Sequence, residues 1–437
     1  MKELIEDKQK LKEFYGNILE FLDSRVQILS LRPKLIQGLE SYFEGDFDFL
    51  ISKEHFKIAL DLIYEYSKEE GVNFTLNQKA VNKKFFRFFI NDVTQACLTF
   101  EFWTAIEFTE KNKKCSFPAD SIFQVVNKGK STQIEILALI YITHLYHKNK
   151  DIFSAENQYR FDWFLGELAK QSENSSSAKL LEDIRKKEIS IKEANKKAVF
   201  LLKSLSIRSR SYLIERIELF CKKAKIKFIS IKNIVPVVGP DGVGKGVVSD
   251  NSLSQLEGYE PFRFKSLYRI RWAYKLRLML IKGYNKEPKN RLDEKISYYI
   301  FFISLFTFQL LRYNKKNKVV LMDRYFVDYF GTPIRYLDNN KLPKKLSFYN
   351  FLLFLTPLPN KMIFMGCKDV SLIARKNELS LTSVDFLQHI NSEFILKKDL
   401  PEILFLSTEN DIDTSSEVMR RFLEEHKNNL KKINHLK

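Results

Sequence analysis

Glycine (14) and proline (11) are scarce for a chain of 437 residues, which argues for long regular elements joined by short loops. Cysteine is scarcer still. Cys97, Cys115, Cys221 and Cys367 lie far apart with no Cys-x-x-Cys pair, which excludes a disulfide scaffold and fits reduced thiols used as small hydrophobes. Long apolar runs are missing too. The most apolar stretch, residues 298–311, includes Ser304, Thr307 and Gln309 and falls short of the about 20 residues a membrane span needs, so a buried helix is expected there. The opening MKELIEDKQKLKEF has no apolar signal core, and a cytoplasmic location is expected. Acid is the last deficit: 54 Asp and Glu against 72 Lys and Arg leave a net charge of +18.

Hydrophobic residues, in contrast, make up 45% of the chain, with 38 phenylalanines. That much apolar surface excludes an intrinsically disordered chain, and the length suggests two or three domains. Part of the positive charge follows from a general excess of Lys, Asn, Ile and Phe, as an AT-rich genome would produce. The rest is local: residues 263–291 hold ten basic side chains and one acid, Glu287. A concentrated basic segment points to an anionic partner.

Residues 1–45 read as helical, with Ile18, Phe21, Leu22 and Val26 at helical spacing. Strand signals follow at 45–51, 85–90 and 96–103. Residues 118–225 are helical and charge-laced, interrupted by the polar loop 171–177. Beyond them, short apolar strands at 231–238, 318–322, 362–365 and 403–406 alternate with helices, the signature of a parallel, doubly wound sheet. The expected organisation is α/β: an α+β region over 1–117, a helical region over 118–225, and a parallel-sheet domain over 226–437.

The most specific motif is Gly239-Pro240-Asp241-Gly242-Val243-Gly244-Lys245-Gly246, directly after the apolar run 234–238. Gly-x4-Gly-Lys after a strand is the Walker A spacing. Its glycines let backbone N–H groups converge on phosphates, the next helix N-terminus adds its dipole, and Lys245 neutralises charge between the β- and γ-phosphates. Gly246 stands where such loops usually carry Ser or Thr, so a magnesium ion would need water and another carboxylate. Val247 completes the nucleotide-binding set. Asp323-Arg324 ends the strand at 318–322, where a carboxylate can hold magnesium through water and an arginine can bridge donor and acceptor phosphates. Arg375 and Lys376, after the strand at 362–365, could close over the transferring phosphoryl group.

These segments, GPDGVGKG, VVLMDRY and MIFMGCKDVSLIARKNEL, make residues 231–437 resemble the thymidylate kinase family of P-loop nucleoside monophosphate kinases. The resemblance implies a P-loop kinase fold, ATP and Mg2+ as cofactors, Lys245 and Arg324 as phosphate binders, Asp323 as the magnesium-side carboxylate, Arg375 as the lid arginine and Asp241 at the acceptor sugar. The family's Arg-Glu-Pro-Gly acceptor stretch is missing. A basic, aromatic segment stands in its region, with Arg263 and Arg269 as acceptor-binding candidates, so the acceptor is expected to be small and anionic or sugar-containing, and not necessarily dTMP.

Near the N-terminus, Asp46 and Asp48 lie two apart on one side of a strand, where paired carboxylates can share a metal. The stretch resembles the Gly-Asp-x-Asp strand of nucleotidyltransferase-fold proteins, with Glu101 as the third acid; the Gly-Ser that opens such sites is missing. His144 and His147 lack a third zinc ligand, and the aromatic-basic run 85–89 reads as core strand more than as a nucleic-acid surface, so no nucleic-acid partner is expected. The expected function is ATP-dependent phosphoryl transfer to a small acceptor. Two alternatives stay open: a non-catalytic nucleotide-binding module docking to a membrane surface or polyanion, and metal-dependent nucleotidyl transfer at the N-terminal acids. A homodimer is also left open.

Overall fold

The computed structural model describes residues 2–31, 46–80, 82–89, 97–110, 113–129, 131–171, 175–211, 217, 230–231, 233–263, 319–323, 325, 358–375, 388, 392–393 and 402–435. In chain order the elements are α1 (Lys2–Asp23), β1 (Ile28–Ser30), β2 (Asp46–Ile51), α2 (Lys53–Glu70), β3 (Asn73–Ala80), β4 (Lys83–Phe89), β5 (Cys97–Trp103), β6 (Ala105–Glu110), β7 (Lys113–Pro118), α3 (Ala119–Asn127), α4 (Gln133–His147), α5 (Ala155–Ala169), α6 (Ser176–Arg185), α7 (Ile191–Ser204), β8 (Arg210–Ser211), β9 (Ser230–Ile231), β10 (Ile234–Val238), α8 (Lys245–Ser254), β11 (Tyr259–Arg263), β12 (Val319–Asp323), β13 (Leu358–Pro359), β14 (Met362–Gly366), α9 (Asp369–Arg375), β15 (Glu402–Ser407) and α10 (Ile412–His435).

Local chemistry explains several boundaries. Ser52 caps α2 by accepting from the His55 N–H, and Gly71 ends that helix in the left-handed conformation (φ 69°). Thr132 with Glu135 and Ser190 with Glu193 form capping boxes at the starts of α4 and α7. In β4, Phe86 and Phe88 point inward and Arg87 outward, so the aromatic-basic run is a core strand, as its alternation predicts.

The fold is α/β, built on one mixed ten-stranded sheet of order β1-β2-β5-β4-β3-β15-β14-β10-β12-β11. The five strands from β15 to β11 are parallel to one another. β10 lies inside this group, with β12 and β11 on one side and β14 and β15 on the other. It is therefore the point where the strand order reverses, and ligands in such sheets bind beyond the strands' carboxyl ends at that point.

The sheet does not stop at the end of the parallel group. β15 pairs antiparallel with β3, from Phe405 opposite Phe74 to Glu402 opposite Asn77. One hydrophobic core follows this junction: Tyr64, Phe74, Phe86, Phe88 and Phe100 are buried with Ile234, Val320, Phe364 and Phe405. A second core packs α3 to α7 against β6 and β7, and a third lies under α8, α9 and α10.

Two details differ from the sequence reading. β1 interrupts the helical N-terminus, because Leu29 pairs with Leu50 at the sheet edge. The strand at 231–238 is split, with Ser230–Ile231 pairing separately with β13. The 225/226 boundary and the apolar stretch 298–311 lie outside the described residues. Among the described residues, no helix is long and apolar enough to cross a membrane.

Candidate functional site

β10 is buried at all five positions and delivers the glycine loop to the switch point. Gly239, Gly242 and Gly244 have φ of 144°, 94° and 97°, a region that L side chains avoid. Gly239 is constrained twice, since a Cβ there would also collide with the Met365 carbonyl oxygen at the end of β14. α8 starts at Lys245, behind Gly244. The Lys245 side chain is 7% exposed; its ammonium donates to the Gly239 and Pro240 carbonyls at 2.5 and 2.8 Å. The Asp241 carboxylate, 42% exposed, lies 3.8 Å from it. Val243 is buried, whereas Val247 is exposed on the outer face of α8.

Asp323 ends β12 opposite Val237 of β10 and Arg263 of β11. The sheet thus sets its carboxylate beside the strand that feeds the loop. Its Oδ1 is buried and makes no hydrogen bond. A buried carboxylate oxygen without a donor is costly unless a ligand or water completes it, and this one fits a magnesium ion's water shell. Arg375, the last residue of α9, donates to Thr408 Oγ1 (3.0 Å), to the Thr408 carbonyl (2.6 Å) and to the Val243 carbonyl (3.5 Å). The fold therefore brings Gly239–Lys245, Asp323 and Arg375 to one end of the parallel strands. Arg324, Arg269, Lys376 and nearly all of the basic segment lie outside the described residues.

The sequence reading missed the residues behind Arg375. Thr408 and Glu409 follow β15; Glu409 accepts from the Lys368 N–H and from Ser371 Oγ, both at 2.9 Å, which ties the start of α9 to that turn. Thr408 and Glu409 carry no motif, so only the end of a buried strand could have marked them.

The N-terminal acids form a different arrangement. In the parallel β2–β5 pair, Asp48 stands opposite Glu101. Asp48 accepts from Trp103 Nε1 at 3.0 Å. Glu101 is hydrogen-bonded to Asp48 and ion-paired with Lys83, whose ammonium lies 4.3 Å from the Trp103 ring centroid. Burial, helped by the bond to Asp48 and opposed by Lys83, pushes the Glu101 pKa up to about 8. Asp46 is exposed at the start of β2.

Among the described residues, no group of three or more His, Cys, Asp or Glu side chains is placed to hold a metal ion. Of the expected metal set, Asp48 and Glu101 are bonded to each other, and Asp46 stands apart at the exposed start of β2. The Lys83 ammonium lies against the third acid, Glu101, while burial and the bond to Asp48 favour that acid's protonated form. Asp48 lines a cleft together with Trp103, Tyr141, His144 and Arg160. His147 is engaged with Thr109 (3.0 Å) and Glu107 (3.5 Å). No model of a known protein family and no curated protein matches this chain.

Proposed function

We propose that the chain is an ATP-dependent phosphotransferase whose active site is the Gly239–Lys245 loop with Asp323 and Arg375, a P-loop kinase of the thymidylate-kinase-like type. The observation that carries this reading is Lys245, a buried ammonium at a helix start, behind a left-handed glycine loop at the sheet's switch point. Such an arrangement favours phosphate over other anions, because converging N–H groups, a helix dipole and a fixed cation act on one spot.

In the reaction the loop's N–H groups cradle the donor phosphates. Lys245 exchanges the loop carbonyls for the β- and γ-phosphate oxygens. Asp323 would hold Mg2+ through water, and that ion supplies charge neutralisation at the phosphates when bound. Arg375, already against the loop at Val243, is close enough to meet charge on the transferring group. Asp241, partly exposed in the loop, is the residue assigned to the acceptor. The ten cations of residues 263–291 suit an anionic or sugar-containing acceptor.

The test is to incubate the protein with Mg-ATP and a panel of nucleotides, sugars and sugar phosphates and to follow ADP. Acceptor-dependent ADP formation is expected, falling about 100-fold or more in Lys245→Ala. Turnover that is unchanged in that variant would sink the assignment.

A further inference from the structure

Arg375 sits at the end of α9, and the start of α9 is held from the other half of the chain. Asp369, its first residue, accepts from Lys68 Nζ at 3.3 Å. Lys68 lies in the last turn of α2, and its side chain is 2% exposed. Its second partner is Glu65 on its own helix, at 2.9 Å. Asp369 also accepts from Gln388 Nε2, and Gln388 Oε1 in turn accepts from the Tyr64 hydroxyl at 3.0 Å. Tyr64 and Lys68, one turn apart on α2, therefore hold the entry to α9 through a connected polar network.

The same seam continues to the residue that receives Arg375. Asn410 Nδ2 donates to the Gly71 carbonyl at 2.9 Å, and the Ser407 N–H donates to Asn73 Oδ1 at 2.8 Å. Both bonds flank Thr408, which accepts two of the Arg375 hydrogen bonds. Over its described residues, Asp369–Arg375, α9 takes its direction from the anchors it meets. Those are Lys68 and Glu409 at the start, the buried Leu372 in the middle, and Thr408 with the Val243 carbonyl at the end.

Burying an ammonium costs several kcal/mol unless it is well paired. Glu65 alone could pair Lys68 within α2, yet Lys68 also reaches a carboxylate 301 residues away. Burial would lower the Lys68 pKa, but the charges and hydrogen bonds of Glu65 and Asp369 outweigh it and hold it above the ordinary value. The ammonium is therefore charged at every physiological pH.

We propose that Lys68 is a positioning residue for the phosphate-loop site: through Asp369 it sets α9, and so places Arg375 on the loop, making the N-terminal half a working part of the phosphotransferase. This rests on the phosphotransferase reading for its catalytic consequence, although the mechanical link from Lys68 to α9 can be read independently of it.

The experiment compares full-length wild type, Lys68→Met and Lys68→Arg by hydrogen–deuterium exchange over residues 369–375, by the Kd of a fluorescent ATP analogue, and by kcat. Lys68→Met is expected to speed exchange in 369–375 and to lower kcat about tenfold, while the analogue's Kd moves by less than about threefold because the glycine loop is untouched. Lys68→Arg should restore most of both losses. In an Arg375→Ala background, Lys68→Met should cost little more, since the two residues act in series. If Lys68→Met does not fold, Asp369→Asn is the substitute, with the same outcomes expected. Unchanged exchange and kcat, or losses that add in full to those of Arg375→Ala, would overturn the proposal. Faster exchange in a protein that neither binds the analogue nor turns over ATP would keep the mechanical link and overturn the phosphotransferase reading.

Discussion

Glu101 illustrates how a single environment changes what a residue can do. Its carboxyl is buried, bonded to Asp48 and paired with Lys83, and its pKa rises from 4.5 to about 8. An acid with a raised folded-state pKa stabilises the fold while protonated. That contribution is complete below the ordinary glutamate pKa and is lost as pH rises through about 8. Thermal melts at stepped pH should therefore show wild type losing stability from pH 6 to 9 more steeply than Glu101→Gln, which keeps a neutral side chain throughout. Equal slopes would refute the raised pKa of Glu101. Gly239 makes a second test at this scale. Alanine there meets both an unfavourable φ of 144° and the Met365 carbonyl. The expected cost is about 1–3 kcal/mol, measured by urea unfolding, with weaker nucleotide binding because the loop must shift. The glycine loop was legible in the sequence because eight consecutive residues carry the pattern. The raised pKa of Glu101 was not, because it follows from burial and from Asp48 on the neighbouring strand.

Among the elements, β15 joins what the sequence presents as separate parts. Its Phe405 ring lies 5.3, 5.0 and 5.7 Å from the rings of Tyr64, Phe74 and Phe364, so it touches both halves at once. Phe405→Ala should cost about 3–5 kcal/mol, and because the ring is shared, circular dichroism and tryptophan fluorescence should report the same loss. A shift in one probe alone would mean that the core is not shared. The parallel strands at 234–238, 319–323, 362–366 and 402–407 were readable as short apolar runs between helices. β3 was not singled out, since NFTLNQKA mixes polar residues into a strand whose role is to pair with β15. That pairing joins residues more than 300 positions apart, and no local periodicity encodes it.

At the scale of the whole molecule, ten buried phenylalanines belong to one core that follows the ten-stranded sheet through both halves. Cooperative behaviour follows: urea unfolding should give a single coincident transition by fluorescence and far-UV circular dichroism. The α/β class and the glycine loop at the end of β10 could be read from composition and spacing. The contacts of α2 with α9 could not, because Lys68 and Asp369 are ordinary charged residues until folding brings them together. In the proposed phosphotransferase, Lys245 and its loop bind the phosphates of ATP. Isothermal titration of Mg-ATP into wild type and Lys245→Ala tests it most directly. Saturable binding to the wild type, weakened about tenfold or more in the variant, is the predicted result; no binding to the wild type, or equal affinity in both, would contradict it.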